Sequence, residues 1–119
     1  MTARGDAIVS VAEVEGRVVG MCEVRTSTWR WGSETSHRGH LGIAIDSDYR
    51  GKEVGSALLD STLDKCRGKL EIVELSVFSV NKQARKLHER FGFKTSGTRP
   101  ASVKRGNRYF DEDLMQLKL

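Results

Sequence analysis

Residues 46–57, Asp-Ser-Asp-Tyr-Arg-Gly-Lys-Glu-Val-Gly-Ser-Ala, hold the densest chemistry in the chain. Two glycines, Gly51 and Gly55, alternate with the cations Arg50 and Lys52, and the stretch stands between an apolar run and an amphipathic one. Glycine lets backbone come close to a ligand. A helix that begins here presents unpaired N–H groups and a partial positive charge, which suits a phosphate. The same residues also fit an ordinary glycine-containing turn with a basic flank. The spacing is not a P-loop, since no Gly-Lys-Ser/Thr follows a four-residue gap, and it is not Gly-x-Gly-x-x-Gly.

A second informative stretch, 81–93, reads Asn-Lys-Gln-Ala-Arg-Lys-Leu-His-Glu-Arg-Phe-Gly-Phe. The first stretch, as Arg50-x-x-Glu53-x-Gly55, resembles the Arg/Gln-x-x-Gly-x-Gly/Ala signature of the GNAT N-acetyltransferases, with Glu53 where the family has Gly. The second resembles that family's Asn-x-x-Ala-x-x-Leu-Tyr-x-x-x-Gly-Phe, with His88 where the family has Tyr. The closing run from Ala101 through Gly106, Tyr109 and Asp111 to Met115 resembles the branch acting on small-molecule amines and amino acids.

The resemblance extends from about residue 7 to the C-terminus. It implies an α+β acyl-CoA N-acyltransferase fold: a central mixed, mostly antiparallel sheet with one parallel, splayed strand pair. It implies transfer of acetyl from acetyl-CoA to a primary amine, without a metal. The backbone of Arg50, Gly51, Lys52, Glu53, Val54, Gly55 and Ser56 then holds the pyrophosphate of coenzyme A, and the Glu53 carboxylate repels it unless it points away. An N–H of Ile43, Ala44 or Ile45 polarises the thioester carbonyl, and Asn81 contacts the cofactor where the parallel strands part. His88 takes the place of a tyrosine that protonates the departing thiolate. On an apolar helix face it reads equally well as a packed core histidine.

Amide formation from a thioester requires an amine that loses its proton, a stabilised oxyanion and a protonated leaving thiolate. Glu34, His37 and His40 stand on or near the strand entering the site and are candidates for the base, as is Glu23. His37 and His40 differ by an odd number, so on a regular strand they face opposite sides. Glu34 and His40 are carried forward, with His37 read as a surface residue. The three histidines show no metal-ligand spacing.

These residues need a frame. Alternation and turn signals predict a hairpin of 7–14 with 17–24 about Glu15-Gly16 and a strand over 40–45. A helix over 53–67 carries the polar stripe Glu53, Ser56, Asp60, Asp64 and Arg67 opposite an apolar arc of Val54, Ala57, Leu58, Leu59, Leu63 and Cys66, and Gly68 caps it. A strand over 72–80, apolar on both faces, reads as covered on both sides. Asn81 opens a helix over 82–91 that Gly92 ends, and strands 94–104 and 109–117 close the chain about residues 105–107. One 119-residue chain with 38% apolar and 30% charged residues is expected to form a single domain over 1–119.

The N-terminal six residues lack an apolar signal core, so the cytoplasm is expected. Cys22 and Cys66 lack metal or Cys-x-x-Cys spacing and read as small buried hydrophobes. The net charge of +4 suits an anionic ligand. Nucleic acid is disfavoured: Lys82, Arg85, Lys86, Arg90, Arg99, Lys104, Arg105 and Arg108 come without interleaved exposed aromatics. The family places a strand and one or two helices ahead of the hairpin, and this chain opens at the hairpin. The bare edge and Val9, Val11, Val18 and Met21 are therefore expected to be covered in a homodimer, with Trp29 and Trp31 as aromatic anchors or as pocket walls. The alternative function is a non-catalytic acyl-CoA-binding module.

Overall fold

The computed structural model describes residues 7–26, 35–51 and 53–119. The described elements run β1 (Ala7–Val14), β2 (Arg17–Thr26), β3 (Arg38–Ile45), α1 (Val54–Cys66), β4 (Ile72–Phe78), α2 (Lys82–Arg90), β5 (Lys94–Arg105) and β6 (Arg108–Lys118), with a short 3-10 turn, Ser47–Tyr49, before α1. Glu15 and Gly16 both take positive φ, 51° and 77°. That backbone matches the strand twist and closes β1 on β2 as an antiparallel hairpin.

The strands form one sheet in the order β1-β2-β3-β4-β6-β5. Only β3 and β4 run parallel, with α1 as their crossover. Both helices lie on one face. Leu58, Leu59 and Leu63 of α1 pack with Val24, Leu41, Val73, Leu75 and Met115 from the strands, and Ala84 and Leu87 of α2 join the same cluster.

α1 stops at Arg67, whose N–H bonds back to Leu63 and Asp64, and Gly68 follows at φ 82°. α2 starts at Asn81, whose Oδ1 accepts the Ala84 N–H at 3.2 Å. It ends where Gly92 turns left-handed at φ 98° and the Phe93 N–H returns to the His88 carbonyl. Phe93 is thereby buried beneath the helix.

Three expectations need correction. β4 is covered on one face only by the described residues: Val73, Leu75 and Val77 are buried, while Ile72 and Phe78 share a half-buried face with Glu74 and Ser76. Val80 lies past the strand end and is 69% exposed. On α1, Ala57 is exposed and Thr62 is buried in the apolar arc. Trp29, Trp31 and Glu34 lie outside the described residues.

Cys22 and Cys66 are free and fully buried, and desolvation pushes both thiols up. On the helix-free face Val9, Val11, Val18 and Met21 are 40–53% exposed. Lys65 reaches from α1 to the edge strand, its Nζ donating to the Val9 carbonyl at 3.0 Å.

Gly39 is fixed by space. A Cβ there sits 2.4 Å from Val24 Cγ1 and 2.8 Å from Leu70 Cδ1. Gly39→Ala is expected to lower the unfolding free energy by about 1–3 kcal/mol, the usual range for overpacking. A urea midpoint that falls with an unchanged slope checks this; an unmoved midpoint refutes the packing account.

Candidate active site

The parallel ladder between β3 and β4 is short. It pairs Arg38 with Ile72, Gly39 with Val73 and His40 with Glu74, and then stops, although both strands continue. Each strand keeps its other partner: β3 stays on β2 and β4 stays on β6. The sheet therefore opens a gap lined by 41–45 on one lip and 75–78 on the other.

The Asp46 N–H donates to the Val19 carbonyl at 2.8 Å, which fixes the alternation of β3. Even-numbered residues turn their backbone groups to β2, and odd-numbered residues turn theirs to the gap. Ile43 and Ile45 therefore present N–H groups to the gap. The Ala44 N–H faces β2, so of the three candidates Ala44 is the one held by the ladder.

Below the gap the chain passes through the 3-10 turn to α1. Arg50 is exposed, and its Nε donates to the Ile45 carbonyl at 3.2 Å, tying the loop to the strand end. Gly51 stands at φ 75°. Glu53 caps α1 at φ 67° without a side-chain capping bond, and Lys52 between them lies outside the described residues. The first intrahelical bond is from the Ala57 N–H to the Glu53 carbonyl, so the N–H groups of Val54, Gly55 and Ser56 have no partner within the helix. Arg90 of α2 adds charge there, its Nη2 donating to Ser56 Oγ at 2.9 Å. These features form a cradle for an anion.

Gly55 has a packing task besides the free N–H that its position in the loop supplies. A Cβ on it meets Leu87 Cδ2 at 3.1 Å and Ile45 Cδ1 at 3.3 Å. Its missing side chain lets α1, α2 and β3 close on one another just behind the cradle. Asn81 stands one turn beyond the opposite lip. Its Oδ1 is taken up by the α2 cap, which leaves its side-chain N–H₂ as the group that can donate to a ligand.

His88 is 4% exposed and stands edge-on to Phe93 with ring centroids 5.7 Å apart. Its Nδ1 is buried without a partner. Desolvation lowers its pKa from the ordinary 6.5, so the imidazole is neutral at pH 7. His40 faces the opposite, helix-free side of the sheet and is exposed between Arg25 of β2 and Glu74 of β4. His37 is half-buried, and its carbonyl accepts the N–H groups of Glu71 and Ile72.

Two groups escaped the sequence reading. Arg38 Nη2 holds Glu74 Oε2 at 2.8 Å beside His40. Glu74 and Ser76 alternate with the buried Val73, Leu75 and Val77 of β4, so period-two counting could have found that face. The second is Asp113, 5% exposed, whose Oδ1 accepts Ser79 Oγ at 2.8 Å and Thr98 Oγ1 at 2.9 Å. These bonds, aided by the Arg85 charge, hold its carboxyl below the usual range. They pin the turn that leads from β4 to Asn81. No local pattern marks Asp113, because its partners come from three elements.

This fold defines the acyl-CoA N-acyltransferase class, a mixed sheet with a splayed parallel pair. The model of the Acetyltransferase (GNAT) family matches residues 2–93, and the chain belongs to that family. It is 31% identical over 103 residues to the L-amino acid N-acetyltransferase of Escherichia coli, covering 85% of this chain and 62% of that protein. It is 29% identical over 119 residues to an L-methionine sulfoximine/L-methionine sulfone acetyltransferase of Pseudomonas aeruginosa, covering 98% of this chain and 67% of that protein. A Sinorhizobium meliloti phosphinothricin acetyltransferase, solved in complex with AcCoA, superimposes with a TM-score of 0.83 at 25% identity, over 93% of this chain and 60% of that one. This chain thus spans 60–67% of the length of these three proteins.

Two outcomes follow. A non-glycine residue in the left-handed region costs about 1–2 kcal/mol. Glu53→Gly is therefore expected to raise the unfolding free energy, by about 1 kcal/mol once the extra freedom of unfolded glycine is subtracted. Calorimetric melting checks the sign, and a lower melting temperature overturns it. For His88 the folded pKa lies below the unfolded one, so its contribution is fully present above about pH 6.5 and is lost as pH falls through the folded value. Stability is expected to drop between pH 7.5 and pH 5.5, and His88→Tyr should remove that drop. A drop of the same size in the variant would place its cause elsewhere.

Proposed function

We propose that this chain carries the cofactor half of an acetyl-CoA-dependent N-acetyltransferase whose acceptor is a primary amine on a small molecule or amino acid. The gap between β3 and β4 carries this reading, because it opens directly above the uncapped N-terminus of α1. The names of the Escherichia coli and Pseudomonas relatives support the amino-acid class of acceptor.

In this reading the loop Arg50, Gly51, Lys52, Glu53, Val54, Gly55 and Ser56 binds the pyrophosphate through backbone N–H groups and the α1 dipole. Glu53 is exposed, which lets its carboxylate turn to solvent away from that charge. Ile43 and Ile45 donate to the thioester carbonyl and to the oxyanion that follows. Asn81 holds the cofactor from the other lip. His40 takes the proton of the acceptor ammonium from the helix-free face, with Glu34 as the second candidate for that role. The freed amine forms the C–N bond and the C–S bond breaks, and the proton that the nitrogen loses as the amide forms is relayed to the leaving thiolate by His88, which takes it on one ring nitrogen as it gives one from the other. The protein works in the cytoplasm as a homodimer in which a second copy covers the apolar patch of Val9, Val11, Val18 and Met21. No described helix is long and apolar enough to cross a membrane.

Thiol release from acetyl-CoA in the presence of a panel of amino acids and simple amines tests the proposal. Turnover with at least one amine is expected, and His88→Ala should cut kcat at least tenfold while acetyl-CoA affinity stays within about threefold. Acetyl-CoA binding by calorimetry without turnover on any amine would identify a binding module instead. No binding at millimolar coenzyme A would sink both readings.

A further inference from the structure

The gap has a second lip, and its far end carries chemistry that the transfer reaction does not use. The last rung of the parallel ladder pairs His40 with Glu74. Counting four residues onward on each strand brings Ala44 level with Phe78, about 13 Å beyond that rung at the usual strand rise. Phe78 therefore stands across the gap from the segment bearing Ile43 and Ile45. It shares the helix-free face with Glu74 and Ser76, the side on which an acceptor can approach.

Phe78 stacks on Phe110 of β6, with centroids 5.7 Å apart and planes 18° from parallel. The Arg105 guanidinium lies 5.0 Å from the Phe78 centroid, and that of Arg108 lies 5.3 Å from the Phe110 centroid. Two arginines thus rest on a paired aromatic base. A guanidinium held near a ring face by the ring's quadrupole spends no N–H on a lone pair and keeps its donors for an anion. Among the described residues neither arginine has a carboxylate partner. The neighbouring acids are engaged elsewhere. Glu112, the strand partner of Phe78, holds Ser102 Oγ at 2.6 Å and Arg99 at 3.4 Å. Asp111 accepts the Ala101 N–H at 2.8 Å, and Asp113 is locked by Ser79 and Thr98.

Two like charges side by side without a counter-ion favour binding of an anion. A carboxylate, or an oxyanion of the same shape, fits a guanidinium fork in two-pronged fashion. We propose that Arg105 and Arg108, seated on Phe78 and Phe110, select acceptors that carry an anionic group beside the reacting amine. This rests on the reading of the gap as the site of acetyl transfer. The residues set specificity: they hold the acid end of the acceptor and leave its amine directed to the gap.

The test compares an amino acid with its own primary amide, which keeps the amine and removes the charge. For the native chain, kcat/KM is expected to favour the acid at least tenfold. In the R105Q/R108Q double variant that ratio should fall to about one, through a higher KM for the acid, with the KM for acetyl-CoA unchanged. Restoring both charges without the planar fork, R105K/R108K, should recover only part of the preference. A preference retained in the Gln variant overturns the proposal, and so does an equal rise in the acetyl-CoA KM, which would place the arginines on the cofactor. If the native chain acetylates no amine, the proposed function fails on its own account. Titration of the amino acid into the coenzyme A-saturated protein, followed by NMR, then decides separately. Saturable binding lost in R105Q/R108Q supports the arginine site, and no binding, or binding unaffected by the substitutions, rejects it.

Discussion

Everything in this molecule depends on the failure of β3 and β4 to stay paired. Three rungs join them, and then backbone N–H and C=O groups face a gap. Unpaired backbone groups are costly when buried, so such a gap persists only where other contacts hold the two strands apart. Here β3 is anchored to β2 from Gly20↔Ile45 to Thr26↔Gly39, and β4 is anchored to β6 along its whole length. The side-chainless Gly55 lets α1 and α2 meet over Ile45, so the helices close the sheet beneath the gap rather than within it. The polar groups lining the gap are left for a ligand.

Charge is then distributed about that gap with two signs. On the helix side the uncapped end of α1 and the cations Arg50 and Arg90 make a positive floor. Glu53 stands in this floor, in a backbone conformation that favours glycine. On the helix-free side Glu23, Arg25, Arg38, His40 and Glu74 form a band of mixed charge, with Arg25 bonded to Glu23 and Arg38 to Glu74. The helix side carries two cations and the α1 N-terminus, with Glu53 as the carboxylate among them.

His88 shows how position and environment divide a residue's properties. Its place in α2 follows from the periodicity of Ala84, Leu87, His88 and Phe91, and its burial follows from Phe93 folding back beneath the helix. Burial removes charge and leaves a neutral ring with an unpartnered Nδ1. Such a group carries no acidic proton of its own at pH 7 and can pass one on only by taking one on its other ring nitrogen. The same burial makes the residue part of the core.

The elements themselves were legible from sequence because their causes are local. Glu15-Gly16 closes a turn, Asn81 caps a helix with its own Oδ1, and Gly68 and Gly92 end helices at positive φ. The order of strands and helices, the two motifs and the uncapped start of α1 follow from such neighbours along the chain. What tertiary structure decided involves residues far apart in sequence. Ala44 could not be told from Ile43 until the Asp46 bond to Val19 set the alternation of β3. That Gly55 also makes room for Leu87, thirty-two positions away, was invisible until the two helices were brought together. Asp113 takes its partners from the end of β4, from β5 and from α2, and Arg105 and Arg108 find Phe78 and Phe110 only through the closing of β6 on β4. Local sequence specifies backbone conformation through short-range sterics and hydrogen bonds, whereas a site is built where separate elements meet, and that meeting is set by packing.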